Sequence, residues 1–373
     1  MNHDTIARAA ASTLLAFSAC MAAANAQQEQ PTAPELVWTD ASTLDVEGRA
    51  FEDRAGPFDR LPARAKELVR PQVWDLSRHS AGLAVRFVTD APRIEARWTL
   101  TSDQLAMPHM PASGVSGLDL YVRTDAGLRW VSATRPSKQA NQARLAGLGP
   151  KPPEPREYTL YLPLYNGVSS LEIGVPPDAR LEPAPARTRP IVFYGTSITQ
   201  GASASRPGAC HVALLGRRLD HPVVNLGFSG QGRMDDALAD LLAEIDAAVY
   251  VVDCLPNMTP KLVAERAEPF LRRLRSLRPD TPILVVEDRT FAQAQFVPGR
   301  LAEHAARRAP LRRAFETLTA EGGAPIGYLE GETLLGADGD DTVDGSHPSD
   351  LGFHRQADAF EPALRALLTP RGR

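Results

Sequence analysis

Near residue 185 the hydrophobic period of the chain changes, and that change limits the possible fold more than any other feature. Before it, short runs alternate apolar and polar residues at 83–88, 93–98, 118–122, 158–162 and 170–175, with Pro, Gly and Asp between them. Side chains alternate faces along a strand, so a period of two describes strands with one buried face. The turn residues between them then describe an antiparallel β-sandwich. The Pro-rich stretch 176–190 reads as a linker. After it, apolar strands (191–194, 223–226, 249–252, 283–286, 326–329) alternate with helical patterns (209–219, 235–246, 262–274, 301–318, 351–368). In the second helix Leu238, Leu241, Leu242 and Ile245 share one face. Such alternation builds a mostly parallel sheet covered on both faces. The expectation is an α/β fold with a parallel sheet, preceded by an antiparallel β-sandwich.

The length, 373 residues, suits two domains, placed here at 27–185 and 186–373. Arg8 precedes a small apolar run at 9–23, and Ala24-Asn25-Ala26 precedes polar residues 27–30. The run is shorter than the roughly 20 residues a membrane span needs, so residues 1–26 read as a removed signal peptide. That places the mature chain in the periplasm or outside the cell, with no membrane span. An uncleaved anchor and lipid attachment at Cys20 are the alternatives, although Phe17 stands where a lipid signal usually has Leu. Charges are interspersed and sum to -4, so a nucleic-acid partner has no support. Cys210 and Cys254 are the two cysteines of the mature chain, either one disulfide or two buried thiols, and their spacing fits no metal motif. No cofactor is expected.

In open α/β sheets, sites lie at the C-terminal ends of strands, and four segments fall there. Gly195-Thr196-Ser197-Ile198-Thr199-Gln200-Gly201 follows the first strand of the second half. Gly195 permits a sharp turn that exposes Ser197, a nucleophile if a base takes its proton; a helix-capping serine is the bland reading. Asn225-Leu226-Gly227-Phe228-Ser229-Gly230-Gln231-Gly232 has glycines that free N–H groups for a developing oxyanion, or merely turn the chain. Asp253-Cys254-Leu255-Pro256-Asn257-Met258 offers a carboxamide donor, or a capping Asn. Asp344-Gly345-Ser346-His347-Pro348 puts a base and an orienting carboxylate on one short loop. Asp340 and Asp341 compete for the carboxylate role, and a calcium loop over Asp338, Asp340, Asp341 and Asp344 lacks the full pattern.

Together the four segments resemble the GDSL/SGNH hydrolase family over residues 190–370. The resemblance implies a flavodoxin-like three-layer sandwich. It makes Ser197 the nucleophile, with Asp344 and His347 completing a triad. The N–H groups of Ser197 and Gly230 and the Asn257 side chain would form the oxyanion hole. The chain departs from the family at Thr196, where Asp is usual, and at Pro256 and Met258 beside Asn257. Thr199 also separates it from the G-x-S-x-G elbow. Ser116-Gly117-Leu118-Asp119-Leu120-Tyr121 resembles the Gly-x-Asp-Leu-Tyr motif of a β-sandwich module found with one subgroup of these hydrolases. The resemblance implies a secreted serine ester hydrolase that removes short acyl groups, acetyl above all, from carbohydrate or another small ester. A lipid or aryl ester hydrolase, and a carbohydrate-binding protein without catalysis, are the rival readings. Met107-Pro108-His109-Met110-Pro111 is a rigid loop that either reaches the site or packs between domains. His211 and His354 read as helix-surface residues, and His304 has no evident partner. Nothing in the sequence reports the oligomeric state.

Overall fold

A computed structural model describes residues 35–369 except 148 and 150–153, so the expected signal peptide lies outside the described residues. From Leu36 onward the described residues form one compact unit. The N-terminal half contains strands β1 (Val37–Asp40), β2 (Asp45–Glu47), β3 (Ala84–Thr89), β4 (Arg93–Leu100), β5 (Asp119–Thr124), β6 (Gly127–Ala133), β7 (Ala140–Gly147), β8 (Arg156–Tyr161), β9 (Val168–Val175) and β10 (Leu181–Pro183). Helices α1 (Pro71–Ser77) and α2 (Ala112–Val115) interrupt them. The strands make two antiparallel sheets, ordered β1-β9-β4-β7 and β10-β3-β8-β5-β6, with β2 also paired to β3.

The alternation seen in the sequence decides what each sheet face touches. Ile94, Ala96 and Trp98 of β4 and Leu171 and Ile173 of β9 meet Val85 and Phe87 of β3, Leu120 of β5 and Leu160 of β8 in one core. An adjacent residue on three of these strands points the other way. Ala84, Tyr121 and Tyr161 belong to a second core, which they share with Ile191, Phe193, Phe353 and Phe360 of the C-terminal half. The sandwich is thus buried on both sides of one sheet.

The stretch expected to be a linker is partly strand. Leu181, Glu182 and Pro183 pair with Thr89, Val88 and Phe87, and the Ala184 N–H donates to the Arg86 carbonyl. The prolines that suggested a linker are tolerated because β10 is a sheet edge, where a missing N–H costs no ladder bond.

The C-terminal half holds β11 (Ile191–Gly195), β12 (Val223–Gly227), β13 (Val249–Asp253), β14 (Ile283–Val286) and β15 (Ile326–Leu329). These form one parallel sheet in the order β12-β11-β13-β14-β15, the flavodoxin-like arrangement. Its helices are α3 (Ser197–Gln200), α4 (His211–Leu219), α5 (Asp236–Ala243), α6 (Pro260–Leu277), α7 (Arg300–Ala320) and α8 (Asp350–Leu368). Val192, Tyr194, Tyr250, Val252 and Val285 face α5, α6 and α7 through Leu238, Leu241, Phe270 and Leu311. Ile191, Phe193, Val251 and Leu284 face α4 and α8 through Val212, Leu215, Phe353 and Phe360. Strand order reverses between β11 and β13, so the crevice beyond their C-terminal ends is the place for a site. None of the helices among the described residues is long and apolar enough to cross a membrane.

Three sequence readings are settled by burial. Cys210 and Cys254 are free, buried thiols on opposite faces of the parallel sheet, which keeps them from pairing. His211 is not on a helix surface. It is fully buried among Phe193, Phe353 and Phe360. His304 has a partner after all, since its Nδ1 lies 2.7 Å from Asp288 Oδ2 and its Nε2 accepts the Phe291 N–H.

Candidate active site

Ser197 opens α3 directly beyond β11. Thr196 caps the helix by accepting the Ile198 N–H on its hydroxyl, which answers one of the unpaired N–H groups of a first turn. The turn is tight enough to require glycine before it: a Cβ on Gly195 would collide with Thr199 Oγ1 and lie 2.7 Å from the Asp253 carbonyl oxygen. The Thr199 hydroxyl donates to Asp253 Oδ2 at 3.2 Å, and Arg289 grips both Asp253 oxygens at 2.6 and 2.7 Å. A buried ion pair at the end of β13 therefore fixes the helix that carries Ser197.

Ser197 Oγ lies 2.9 Å from His347 Nε2, and His347 Nδ1 lies 2.7 Å from Asp344 Oδ2. The second Asp344 oxygen accepts the Ser346 N–H at 3.0 Å and the His347 N–H at 2.7 Å. Burial works to raise the Asp344 carboxyl, but these bonds from the His347 backbone, its ring and Ser346 hold it below the ordinary carboxylate range. An ionised Asp344 takes the Nδ1–H, which leaves Nε2 to accept the Ser197 hydroxyl proton. Asp344 is the carboxylate that meets His347. Asp338 and Asp341 instead bind Arg355, and the Asp340 N–H donates to Asp338. That use of the acidic run also replaces the calcium-loop alternative with ion pairs.

The glycine turn after β12 carries Gly230 and meets Asn257. Gly230 has a left-handed backbone, φ 69°, in a turn where Gln231 and Gly232 both donate to the Phe228 carbonyl. Among the described residues neither the Ser197 nor the Gly230 N–H has a hydrogen-bond partner. Asn257 accepts the Gly232 N–H on Oδ1 at 3.2 Å, which leaves its amide nitrogen as a donor.

Several residues that hold these groups were not singled out from sequence. The Gln200 amide donates to the Leu164 carbonyl and His79 Nδ1, while its oxygen accepts the Ser229 N–H. It ties the glycine turn to both halves. Burial holds His79 near pKa 4, so the ring stays neutral and can accept this bond. Asn225 links the Thr199 carbonyl to the Gly227 N–H at 2.7 and 2.9 Å. Arg60, 1% exposed, donates to the carbonyls of Asn225, Gly227, His79 and Leu76, and so clamps the end of β12. Burial lowers its pKa to about 9, still leaving it charged at neutral pH. The signal available beforehand was the polar run 196–200 directly after an apolar strand; each of its polar residues is buried.

The motif residue Asp119 has an equally local role. Fully buried, it accepts bonds from Arg206 Nη1, the Gly208 N–H and Trp130 Nε1 at 2.8 to 2.9 Å. It fastens β5 to the loop after α3.

Known proteins match the chain over both halves. A sequence profile of the GDSL-like lipase/acylhydrolase family matches residues 188–365, and one for the N-terminus of SGNH-hydrolase-type esterases matches residues 36–181. A chain from Bacteroides ovatus described as a GDSL-like lipase is 34% identical, with a TM-score of 0.84 over 90% of this chain and 98% of that one. The chain belongs to the GDSL-like lipase/acylhydrolase family. Two more distant structures share this family member's fold. A salicylyl-acyltransferase from a tetracycline biosynthetic pathway is 18% identical with a TM-score of 0.71, covering 90% of this chain and 98% of its own. A family two carbohydrate esterase from Cellvibrio japonicus is 14% identical with a TM-score of 0.57, covering 90% and 99%. No curated protein matches the chain in sequence.

Proposed function

We propose that this family member is an exported serine esterase that removes short acyl groups, acetyl in particular, from carbohydrate. The carrying observation is the combination of a Ser197–His347–Asp344 hydrogen-bond chain with an open site. Ser197 is 8% exposed, but the His347 and Asp344 side chains are 28% and 50% exposed. An open rim suits an ester on a polymer, and it leaves water free to reach an acyl-enzyme.

In this reading Ser197 Oγ attacks the ester carbonyl carbon while its proton passes to His347 Nε2. The N–H groups of Ser197 and Gly230 and the Asn257 amide receive the oxyanion. As the tetrahedral intermediate collapses, the carbon–alkoxy bond breaks and His347 returns the proton to the leaving alcohol. Water then repeats the sequence on the acyl-enzyme and releases the acid. Asp344 stays ionised throughout and stabilises the imidazolium. Residues 1–26 would direct export, and 27–185 and 186–373 would act as sandwich and catalytic domains.

The test is a series of 4-nitrophenyl esters of increasing acyl length, together with acetate release from acetylated xylan. Turnover is expected to fall steadily beyond the shortest acyl groups, with acetate released from xylan, and both activities are expected to vanish in Ser197→Ala. A preference for long acyl chains would overturn the reading in favour of a lipid esterase.

A further inference from the structure

His109 stands at the tip of a four-residue turn in the N-terminal half. Met107 and Met110 exchange two backbone hydrogen bonds, at 2.9 and 3.0 Å, so Pro108 and His109 are pushed outward and are exposed while Met110 is buried. The turn has little freedom to swing. It runs straight into α2, whose Ser113 hydroxyl donates to the Ser205 carbonyl at 2.7 Å. The Leu164 and Tyr165 N–H groups donate to the carbonyls of Gly114 and Val115, and a Cβ on Gly114 would collide with the Ala204 carbonyl. Ser205 is held in turn by Asp350.

This rigid mount sets the His109 ring centroid 6.2 Å from that of His347, with the planes tilted 35°. Among the described residues the His109 ring nitrogens have no hydrogen-bond partner. They are therefore available to a ligand at the mouth of the site. On the esterase reading, on which this inference rests, His347 returns a proton to the leaving alkoxy oxygen, so the alcohol portion of the ester must pass beside the His347 ring. We propose that His109 is a specificity-determining residue that hydrogen-bonds a hydroxyl of that alcohol. The sandwich half thereby selects hydroxyl-bearing alcohols such as sugars, independently of the acyl group.

The experiment holds the acyl group constant and varies the alcohol. Wild type, His109→Ala and His109→Gln are assayed on an acetylated xylo-oligosaccharide and on ethyl acetate, whose alcohol has no further hydroxyl. For His109→Ala, kcat/KM on the sugar ester is expected to fall about five- to tenfold, the worth of one hydrogen bond at a partly exposed site, chiefly through KM. Ethyl acetate should change by less than about twofold, and Gln, which keeps a donor and an acceptor, should recover part of the loss. An unchanged ratio between the two substrates, or an equal fall on both, overturns the role of His109. Fluorophosphonate labelling of Ser197 in the wild type tests the parent reading separately. Labelling with an unchanged ratio removes only His109, whereas failure to label or to cleave either ester removes the parent reading and this proposal with it.

Discussion

Asn257 accepts the Gly232 N–H through its carbonyl oxygen, so its amide nitrogen is oriented by the same glycine turn that carries Gly230. If that nitrogen meets the oxyanion, Asn257→Ala is expected to lower kcat by about 10²–10³ with little change in KM; an unchanged kcat would remove Asn257 from the site. His211 makes a different kind of prediction. Both ring nitrogens are buried without a hydrogen bond among three phenylalanines. Burial, helped by Arg289, holds its pKa well below the ordinary histidine value. The unfolded chain therefore takes up a proton below about pH 6.5 that the folded chain refuses, so stability is full above that pH and is lost as pH falls. His211→Phe is expected to raise stability by about 1–2 kcal/mol by removing unsatisfied polar atoms. It should also flatten the fall in Tm between about pH 7 and pH 5. A variant whose Tm tracks pH as the wild type's does would refute this account.

Among the elements, α3 depends most on its neighbours. It is one turn long, too short to be stable by itself, and its position rests on Thr199, Asp253 and Arg289. Arg289 and Asp253 are each 1% exposed. Removing one partner leaves the other charge buried, so Arg289→Met is expected to cost about 3–5 kcal/mol in urea unfolding. Replacing Asp253 with Leu in the same chain should recover part of that loss, because an apolar pair needs no compensation. If the double variant is no more stable than Arg289→Met, the pair is not the source of the cost. The elements legible in the sequence were those with a buried face. The five strands of the parallel sheet and the helices between them were placed within a few residues. Strands β6 and β7 were missed because they are edges: Gly127–Ala133 and Ala140–Gly147 bury little and carry Arg, Gln and Asn, which leave no apolar alternation to read.

At the scale of the whole molecule, the two halves share a core. Tyr121 and Tyr161 of the antiparallel sheet pack with Phe193 and Phe360 across the boundary, and Arg60 caps β12 from the N-terminal side. Calorimetry is therefore expected to record a single unfolding transition. Residues 186–373 expressed alone are expected to be insoluble, since an apolar face evolved for burial would meet water. Two well-separated transitions would show instead that the halves are independent. The sequence alone determined the fold class, through the switch from period two to strand–helix alternation. It also offered Ser197 and His347, with Asp344 as a carboxylate that Asp340 and Asp341 rivalled, because strand ends and a three-residue spacing are local properties that the chain displays in order. Only the tertiary structure decided which carboxylate meets His347, that the two cysteines lie on opposite faces of a sheet, and that His211 is core. It also decided that Arg60 and Gln200 hold the end of β12 and the turn after it, and that His109 stands beside His347. Those relations join residues tens to hundreds of positions apart, and they depend on the register and packing of elements, which hydrophobic periodicity does not encode.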